Sequence, residues 1–205
     1  MLTALEALDR LKEGNQRFAS RVPNVDALTN QMRRDELVNG QEPFAVILGC
    51  SDSRVPVEII FDQGLGDLFV IRVAGNIAAS SQIGSIEFAA ERFGTRLVVV
   101  LGHTRCGAIA ATLEELRRPV ESRSKNLRSI VDRVKPSIAA LLETDLKDDP
   151  VRLAREAVRA NVRVTANYLR HGSAVLEPLV QAKELLVVGA EYSLETGIVE
   201  FFDGL

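Results

Sequence analysis

Two short polar segments hold both thiol groups of this chain and one of its two histidines. The first is Gly49-Cys50-Ser51-Asp52-Ser53-Arg54, and the second is Gly102-His103-Thr104-Arg105-Cys106-Gly107. The chain has only 2 cysteines and 2 histidines, so the placement of Cys50, His103 and Cys106 is informative. Thiolate and imidazole are zinc ligands, and a catalytic zinc keeps three protein ligands and one open position for water. The three residues therefore predict a zinc site.

Three other interpretations use the same residues. The two cysteines could form a disulfide, which is rare in a cytoplasmic protein. They could also be inert buried thiols, or Cys106 could be a nucleophile activated by His103, which would leave Cys50 without a role. The zinc hypothesis is favoured because it uses all three residues. The second histidine, His171, precedes Gly172 at the end of a helical stretch and is expected on the surface.

Continuous apolar runs indicate which elements position the two polar segments. Such runs occupy residues 44–48, 68–71, 97–101 and 185–188, and a last candidate strand occupies residues 197–202. Short β-branched runs are typical of strands buried on both faces of a parallel sheet. The polar segments follow the first and third runs, where open α/β sheets place their sites.

Helical patterns alternate with these runs. Apolar residues at helical spacing predict a helix from about Ser80-Ser81 to Gly94 and another from Asp149-Pro150 to Gly172. The first 40 residues predict a helical arm: one helix carries Leu2, Leu5, Leu8 and Leu11, and a second covers residues 24–38. The prediction is an α/β fold: a mostly parallel central sheet flanked by helices, with an N-terminal helical arm and a possible C-terminal edge strand.

Composition and charge narrow the class of protein. A length of 205 residues with 46% hydrophobic and 26% charged residues indicates a single domain over residues 1–205, divided into an arm (1–40) and an α/β core (41–205). A net charge of −3 argues against nucleic-acid and anionic-membrane partners. No apolar run approaches the ~20 residues of a membrane helix. The first ten residues include acids and no cationic start, which favours a cytoplasmic location.

Residues 117–149 are rich in charge, including Arg117-Arg118 and Lys147-Asp148-Asp149. The pattern predicts a solvated helical excursion, and an anion-binding patch is the alternative.

On these residues the chain resembles the β-class carbonic anhydrases. Residues 50–54 (Cys-Ser-Asp-Ser-Arg) and 102–107 (Gly-His-Thr-Arg-Cys-Gly) match the two signature segments of that family. The likeness continues through residues 58–76 and 84–88, and covers about 8–115 and 160–202.

The resemblance implies zinc held by Cys50, His103 and Cys106, with Asp52 and Arg54 as a catalytic pair. It implies reversible hydration of carbon dioxide to bicarbonate and a proton by attack of zinc-bound hydroxide. Further residues match the substrate cleft near a dimer interface: Gln41, Phe69 and Phe88, the last standing where many relatives have tyrosine. A homodimer or homotetramer is implied, with the N-terminal helices embracing the neighbour. A backbone N–H near Gly107 is expected to help bind the developing anion.

Two other functions stay open at this point. One is a related zinc lyase or hydrolase acting on carbon disulfide or carbonyl sulfide. The other is a non-catalytic zinc- or bicarbonate-binding module. Asp52 and Arg54 argue against the module, because a structural zinc needs no such pair.

Overall fold

The computed structural model describes residues 2–22, 31–118 and 124–205. Its strands are β1 (Ala45–Gly49), β2 (Leu68–Arg72), β3 (Leu97–His103), β4 (Leu186–Tyr192) and β5 (Val199–Asp203). They form one sheet in the order β2-β1-β3-β4-β5. The first four strands are parallel, and β5 pairs antiparallel with β4. The predicted sheet and the C-terminal edge strand are confirmed.

The helices are α1 (Ala4–Ala19), α2 (Gln31–Glu36), α3 (Val57–Ile60), α4 (Ser80–Arg92), α5 (Gly107–Arg117), α6 (Lys125–Ile138), α7 (Pro150–His171) and α8 (Leu176–Gln181). Asp149 caps α7, and its carboxylate accepts the N–H of Arg152 at 3.0 Å. Helix α4 begins at Ser80, as predicted, and Ala79 precedes it without a side-chain cap. Of the predicted second arm helix, residues 31–38 are described, whereas 24–30 lie outside the described residues.

Every residue of β1 and β3 is buried because helices cover both faces of the sheet. Alternate residues point to opposite faces. Ile47 and Val99 pack in a cluster with side chains of α1 and α3. Val46 and Val98 pack in a second cluster with side chains of α4 and α7.

The leucines of α1 do not all face the same environment. Leu8 and Leu11 are buried in the core of their own chain. Leu5 is 66% exposed and Leu2, just before the helix, is 37% exposed. The arm therefore packs on its own core through two leucines and leaves two outward.

The described part of the charged segment is largely helical, as predicted, but the expectation that it is solvated is wrong for one face of α6. In α6, Val131, Val134 and Ile138 are buried on one face. Val134 and Ile138 belong to a cluster that includes Cys50 and Cys106. Burying a side chain of this size stabilises the fold by roughly 1.5–3 kcal/mol. Helix α6 therefore packs its apolar stripe against the core, and its charged side chains lie on the opposite face. Residues 119–123 are outside the described part of the chain.

None of the described helices is both long and apolar enough to cross a membrane. The single domain over residues 1–205 stays a prediction.

Candidate active site

Two neighbouring strands and one helix bring together the three residues proposed as metal ligands. Cys50 follows β1, His103 ends β3, and Cys106 is the residue immediately before α5. Because β1 and β3 are adjacent and parallel, their carboxyl ends meet at one edge of the sheet. The ligand atoms of the three residues all lie within 4.8 Å of one another, and all three residues are buried.

The imidazole of His103 presents one free nitrogen to this group. Its Nδ1–H donates to the carbonyl oxygen of Thr104 at 2.9 Å, which leaves Nε2 as the acceptor nitrogen. Nε2 is buried and has no hydrogen-bond partner among the described residues. A buried polar atom without a partner is costly, and a coordinated metal ion would satisfy it.

The two thiols are close but not bonded. Their Sγ atoms are 4.0 Å apart and both cysteines are free, so the disulfide interpretation is wrong. Hydrogen bonding from Cys106 lowers the pKa of the Cys50 thiol to about 4. The same hydrogen bond and burial raise the pKa of Cys106. A cation between the two sulfurs would favour the ionised form of both thiols.

The spacing and the donor types fit a tetrahedral ion. Zinc–sulfur bonds of ~2.3 Å at a tetrahedral angle place two sulfurs roughly 3.8 Å apart, close to the 4.0 Å between Cys50 and Cys106. The three residues could thus hold a divalent metal and leave one coordination position open.

Asp52 and Arg54 form a pair beside this group. Asp52 Oδ2 lies 3.9 Å from His103 Nε2, so the carboxylate borders the position of a metal. The Arg54 guanidinium donates through Nε to Oδ1 at 2.9 Å and through Nη2 to Oδ2 at 2.7 Å. This fork holds the pKa of the Asp52 carboxyl well below its usual range. Asp52 is therefore an ionised acceptor of fixed orientation.

The comparisons with known proteins identify the family of this chain. Residues 45–199 match the family model described as carbonic anhydrase. Carbonic anhydrase 2 of Mycobacterium tuberculosis is 40% identical over 187 residues, which cover 91% of this chain and 87% of the relative. The solved β-carbonic anhydrase CcaA is 27% identical with a TM-score of 0.76, and the match covers 96% of this chain and 95% of that one. This chain belongs to the β-class carbonic anhydrases.

A more distant solved structure shares the fold alone. It comes from a study of two tetrameric β-carbonic anhydrases of Sordaria macrospora, and the match has 22% identity and a TM-score of 0.74. It covers 96% of this chain and 97% of that one.

The side chains of Cys50, His103 and Cys106 are called the metal group below. The expected cleft residues of this carbonic anhydrase do not lie around the metal group of the same chain. Phe69 pairs with Val46, four residues before Cys50, so along the strand it lies roughly 13 Å from that cysteine. Phe69 packs with Phe88, at 6.3 Å between ring centroids. Gln41 precedes β1 and therefore lies toward the opposite edge of the sheet. Gly107, in contrast, follows Cys106 directly as the first residue of α5.

Arg72 and Glu195 also support the site of this carbonic anhydrase. The sequence analysis did not predict their contacts. Arg72 donates through Nε to the Cys50 carbonyl at 2.9 Å and through Nη2 to the Asp52 carbonyl at 2.5 Å. Glu195 accepts from the Thr104 hydroxyl at 2.9 Å and pairs with Arg105 Nε at 2.7 Å. Each contact holds one of the two loops that carry the candidate ligands. Their only sequence signal is the charge type, because the partners are 20 or more positions away.

A third supporting contact comes from the turn after β2. The Gly75 N–H donates to Cys50 Sγ at 3.4 Å. The carbonyl oxygen of Gly75 accepts from Asn161 Nδ2 on α7 at 2.8 Å. The sequence signal for Asn161 is an amide side chain within the apolar stripe of Val158 and Val162.

Proposed function

We propose that this chain catalyses the reversible hydration of carbon dioxide to bicarbonate and a proton, with zinc as its metal. One observation carries the proposal: the Cys50, His103 and Cys106 ligand atoms lie within 4.8 Å, and the Asp52 carboxylate borders them. The family membership supports the same activity.

In this proposal the metal is held by Cys50 Sγ, His103 Nε2 and Cys106 Sγ. When bound, zinc acts as a Lewis acid that lowers the pKa of a water molecule, as is established for carbonic anhydrases with three-histidine sites. The thiolates of Cys50 and Cys106 would cancel the charge of the ion, so it would acidify a water less than an ion held by three neutral ligands.

The protein's part in the chemistry falls to Asp52 and Arg54. The attacking water loses one proton to solvent, and its oxygen forms a bond to the carbon of carbon dioxide. Asp52 accepts the remaining O–H of the attacking oxygen, which aims a lone pair at the carbon. Arg54 keeps Asp52 ionised and fixes its direction through two hydrogen bonds. Orientation before the reaction lowers the barrier because no group has to reorganise.

We propose that Gly107 helps to bind the negative charge that develops on the substrate. It is the first residue of α5, and the first four N–H groups of a helix have no acceptor within the helix. The N-terminal end of a helix also favours anions. An N–H donor beside Cys106 would therefore favour bicarbonate and the transition state that precedes it.

We propose that Gln41, Phe69 and Phe88 complete a substrate cleft across an interface between two copies of the chain. Support comes from their distance from the metal group of their own chain and from the exposure of Phe88. The assembly is then a homodimer, or a homotetramer built from dimers. The cytoplasmic location and the absence of nucleic-acid and membrane partners stay predictions.

The test is stopped-flow carbon dioxide hydration on the purified protein, with zinc measured on the same sample. We expect one zinc per chain and a rate far above the uncatalysed reaction. Asp52→Asn keeps the metal but should lose most of the rate, whereas His171→Ala, at an exposed histidine, should change neither. Full zinc without hydration would contradict the proposal: turnover of carbonyl sulfide would then indicate the related hydrolase, and no turnover would indicate a binding module.

A further inference from the structure

The turn Ala74–Asn76 connects the metal group to helix α7 through a single glycine. On one side, the Gly75 N–H donates to Cys50 Sγ at 3.4 Å. On the other side, the Gly75 carbonyl accepts from Asn161 Nδ2 at 2.8 Å. One side chain of α7 is therefore two hydrogen bonds away from a candidate metal ligand.

We propose that Asn161 is a positioning residue for the metal: it fixes Gly75 so that the Gly75 N–H supports the Cys50 thiolate and slows metal release. The inference rests on the proposed metal site. It does not depend on which substrate that site converts.

The backbone at Gly75 explains why the turn needs an external support. Gly75 has a φ of +71°, in the left-handed region that glycine adopts readily. Its amide and its carbonyl belong to two peptide planes that rotate about the same Cα. A glycine has little intrinsic preference between rotations, so the amide keeps its direction only if neighbouring groups hold both planes.

The surroundings of the turn leave little room for a side chain at position 75. A Cβ at Gly75 would lie 3.2 Å from Ala108 Cβ and 3.4 Å from Val134 Cγ2. These contacts are tight, and they come from α5 on one side and α6 on the other. The Asn161 amide therefore restrains the carbonyl plane where the residue itself has no side chain.

The chemistry of Asn161 favours positioning over packing. Asn161 is 2% exposed, on the helix stripe that also buries Val158 and Val162. An aliphatic side chain would fill this place without burying an amide, which is costly unless it is hydrogen-bonded. The Asn161 Nδ2 donor is satisfied by the Gly75 carbonyl at 2.8 Å. The Asn161 Oδ1 atom lies 3.4 Å from Ser137 Oγ of α6, whose hydroxyl donates to the Val134 carbonyl at 2.6 Å.

The same contacts give the charged segment a role. Helix α6 supplies Val134, whose Cγ2 would lie 3.4 Å from a Cβ at Gly75, and Ser137, whose Oγ lies 3.4 Å from Asn161 Oδ1. Arg133 of α6 also donates to the carbonyl of Ala78, just beyond the turn, at 3.3 Å. The segment predicted as a solvated excursion thus supports the turn beside Cys50.

A hydrogen bond to a thiolate stabilises the charged form of the sulfur and directs it toward the metal. Removing such outer contacts in metalloproteins typically costs about 10–100-fold in metal affinity or activity. We expect the same range for loss of the Asn161 amide, expressed as faster zinc release.

The experiment measures zinc release from the zinc-loaded protein to a chromogenic chelator. The variants are Asn161→Asp, which removes the donor at almost unchanged volume, and Asn161→Leu, which removes all polarity. The matched control is Thr165→Val on the same face of α7, one turn further along, where the native residue is 5% exposed. We expect release to be about 10–100-fold faster in both Asn161 variants, and unchanged in the control.

A second readout separates positioning from general destabilisation. With cobalt(II) in place of zinc, the thiolate-to-metal charge-transfer band reports the environment of the cysteine sulfurs. The band should shift in the Asn161 variants and stay in place in Thr165→Val. This difference should persist when the Asn161 variants and Thr165→Val have the same free energy of unfolding. An unchanged band together with unchanged zinc release in folded Asn161 variants would overturn the inference.

Amide hydrogen exchange keeps the inference testable if the Asn161 variants fail to fold. In the wild-type protein the Gly75 amide should be protected, because its N–H donates to Cys50 Sγ. Exchange of Gly75 at the rate of an exposed loop amide in the wild type would also overturn the inference. If the wild-type protein binds no zinc at all, the proposed function fails instead, so the two failures are distinguishable.

Discussion

The guanidinium of Arg54 contacts both carboxylate oxygens of Asp52, at 2.9 Å through Nε and at 2.7 Å through Nη2. The two residues are separated by one position in the chain, and the Arg54 backbone N–H also donates to Asp52 Oδ1 at 3.0 Å. Three donors therefore fix one carboxylate beside the metal group. This arrangement needs a planar, forked cation, which only arginine supplies.

Replacing Arg54 with lysine should leave the metal in place and lower kcat. Lysine keeps the positive charge but cannot hold both oxygens, so Asp52 gains freedom. A misplacement of ~1 Å at a reacting group can cost roughly 100-fold in rate, which is the loss expected here. Stopped-flow kinetics measures kcat, and Arg155→Lys, an arginine on α7 outside the site, is the control. Wild-type kcat in Arg54→Lys would contradict the orienting role.

Replacing Cys106 with serine should remove the metal and the activity together. Serine is a poor substitute for a thiolate ligand, and loss of a ligand should reduce affinity by more than the ~10–100-fold of outer-shell changes. The metal content of the purified variant is measured by mass spectrometry. The control is His171→Ala, which removes a histidine that lies outside the metal group. A fully zinc-loaded Cys106→Ser variant would exclude Cys106 as a ligand.

The contact between Glu195 and the loop that follows β3 should depend on pH. The Thr104 hydroxyl lowers the pKa of the Glu195 carboxyl, and Arg105 contributes in the same direction. Because the folded pKa lies below the unfolded one, this contact stabilises the fold above the usual glutamate range. The stabilisation is lost as the pH falls through the lowered value.

Carboxyl carbon chemical shifts measure this titration directly. Glu195 should titrate below the ordinary value of ~4.3, and Thr104→Val should raise its midpoint toward that value. Arg105→Gln should raise it less, because the hydroxyl is the largest cause. A wild-type midpoint at or above the ordinary value would show that the contact is not made in solution.

Replacing Phe88 with aspartate should weaken the association between copies of the chain. Phe88 is 51% exposed and packs edge-on against Phe93 at 5.5 Å, so an apolar partner surface would bury it. Sedimentation velocity should show a shift toward monomer, with activity lost on dilution. Tyr168→Asp, at 52% exposure on α7, is the matched control. An unchanged oligomer in Phe88→Asp would place the interface elsewhere.

Local patterns in the sequence predicted the strands and the three residues of the metal group. The apolar runs mark β1 and β3 most clearly, because every residue of these two strands is buried between helices. The edge strand β2 is only partly buried, although its run is also apolar. Cys50, His103 and Cys106 were found because they are scarce and follow two of these runs. In a parallel sheet, neighbouring strand ends meet at one edge, so their proximity follows from the chain order.

The tertiary structure alone decided which groups support that site. Asn161 reaches Gly75 across 86 positions, and Glu195 reaches Thr104 across 91. Periodicity shows that a residue is buried but not what it faces, since this depends on how the helices pack against the sheet. For the same reason the charge pattern of α6 did not predict the buried stripe beside Cys50. The spacing of the leucines in α1 did not predict that only Leu8 and Leu11 enter the core of their own chain. Side-chain type and spacing determine local burial, whereas partners distant in the chain are determined by packing.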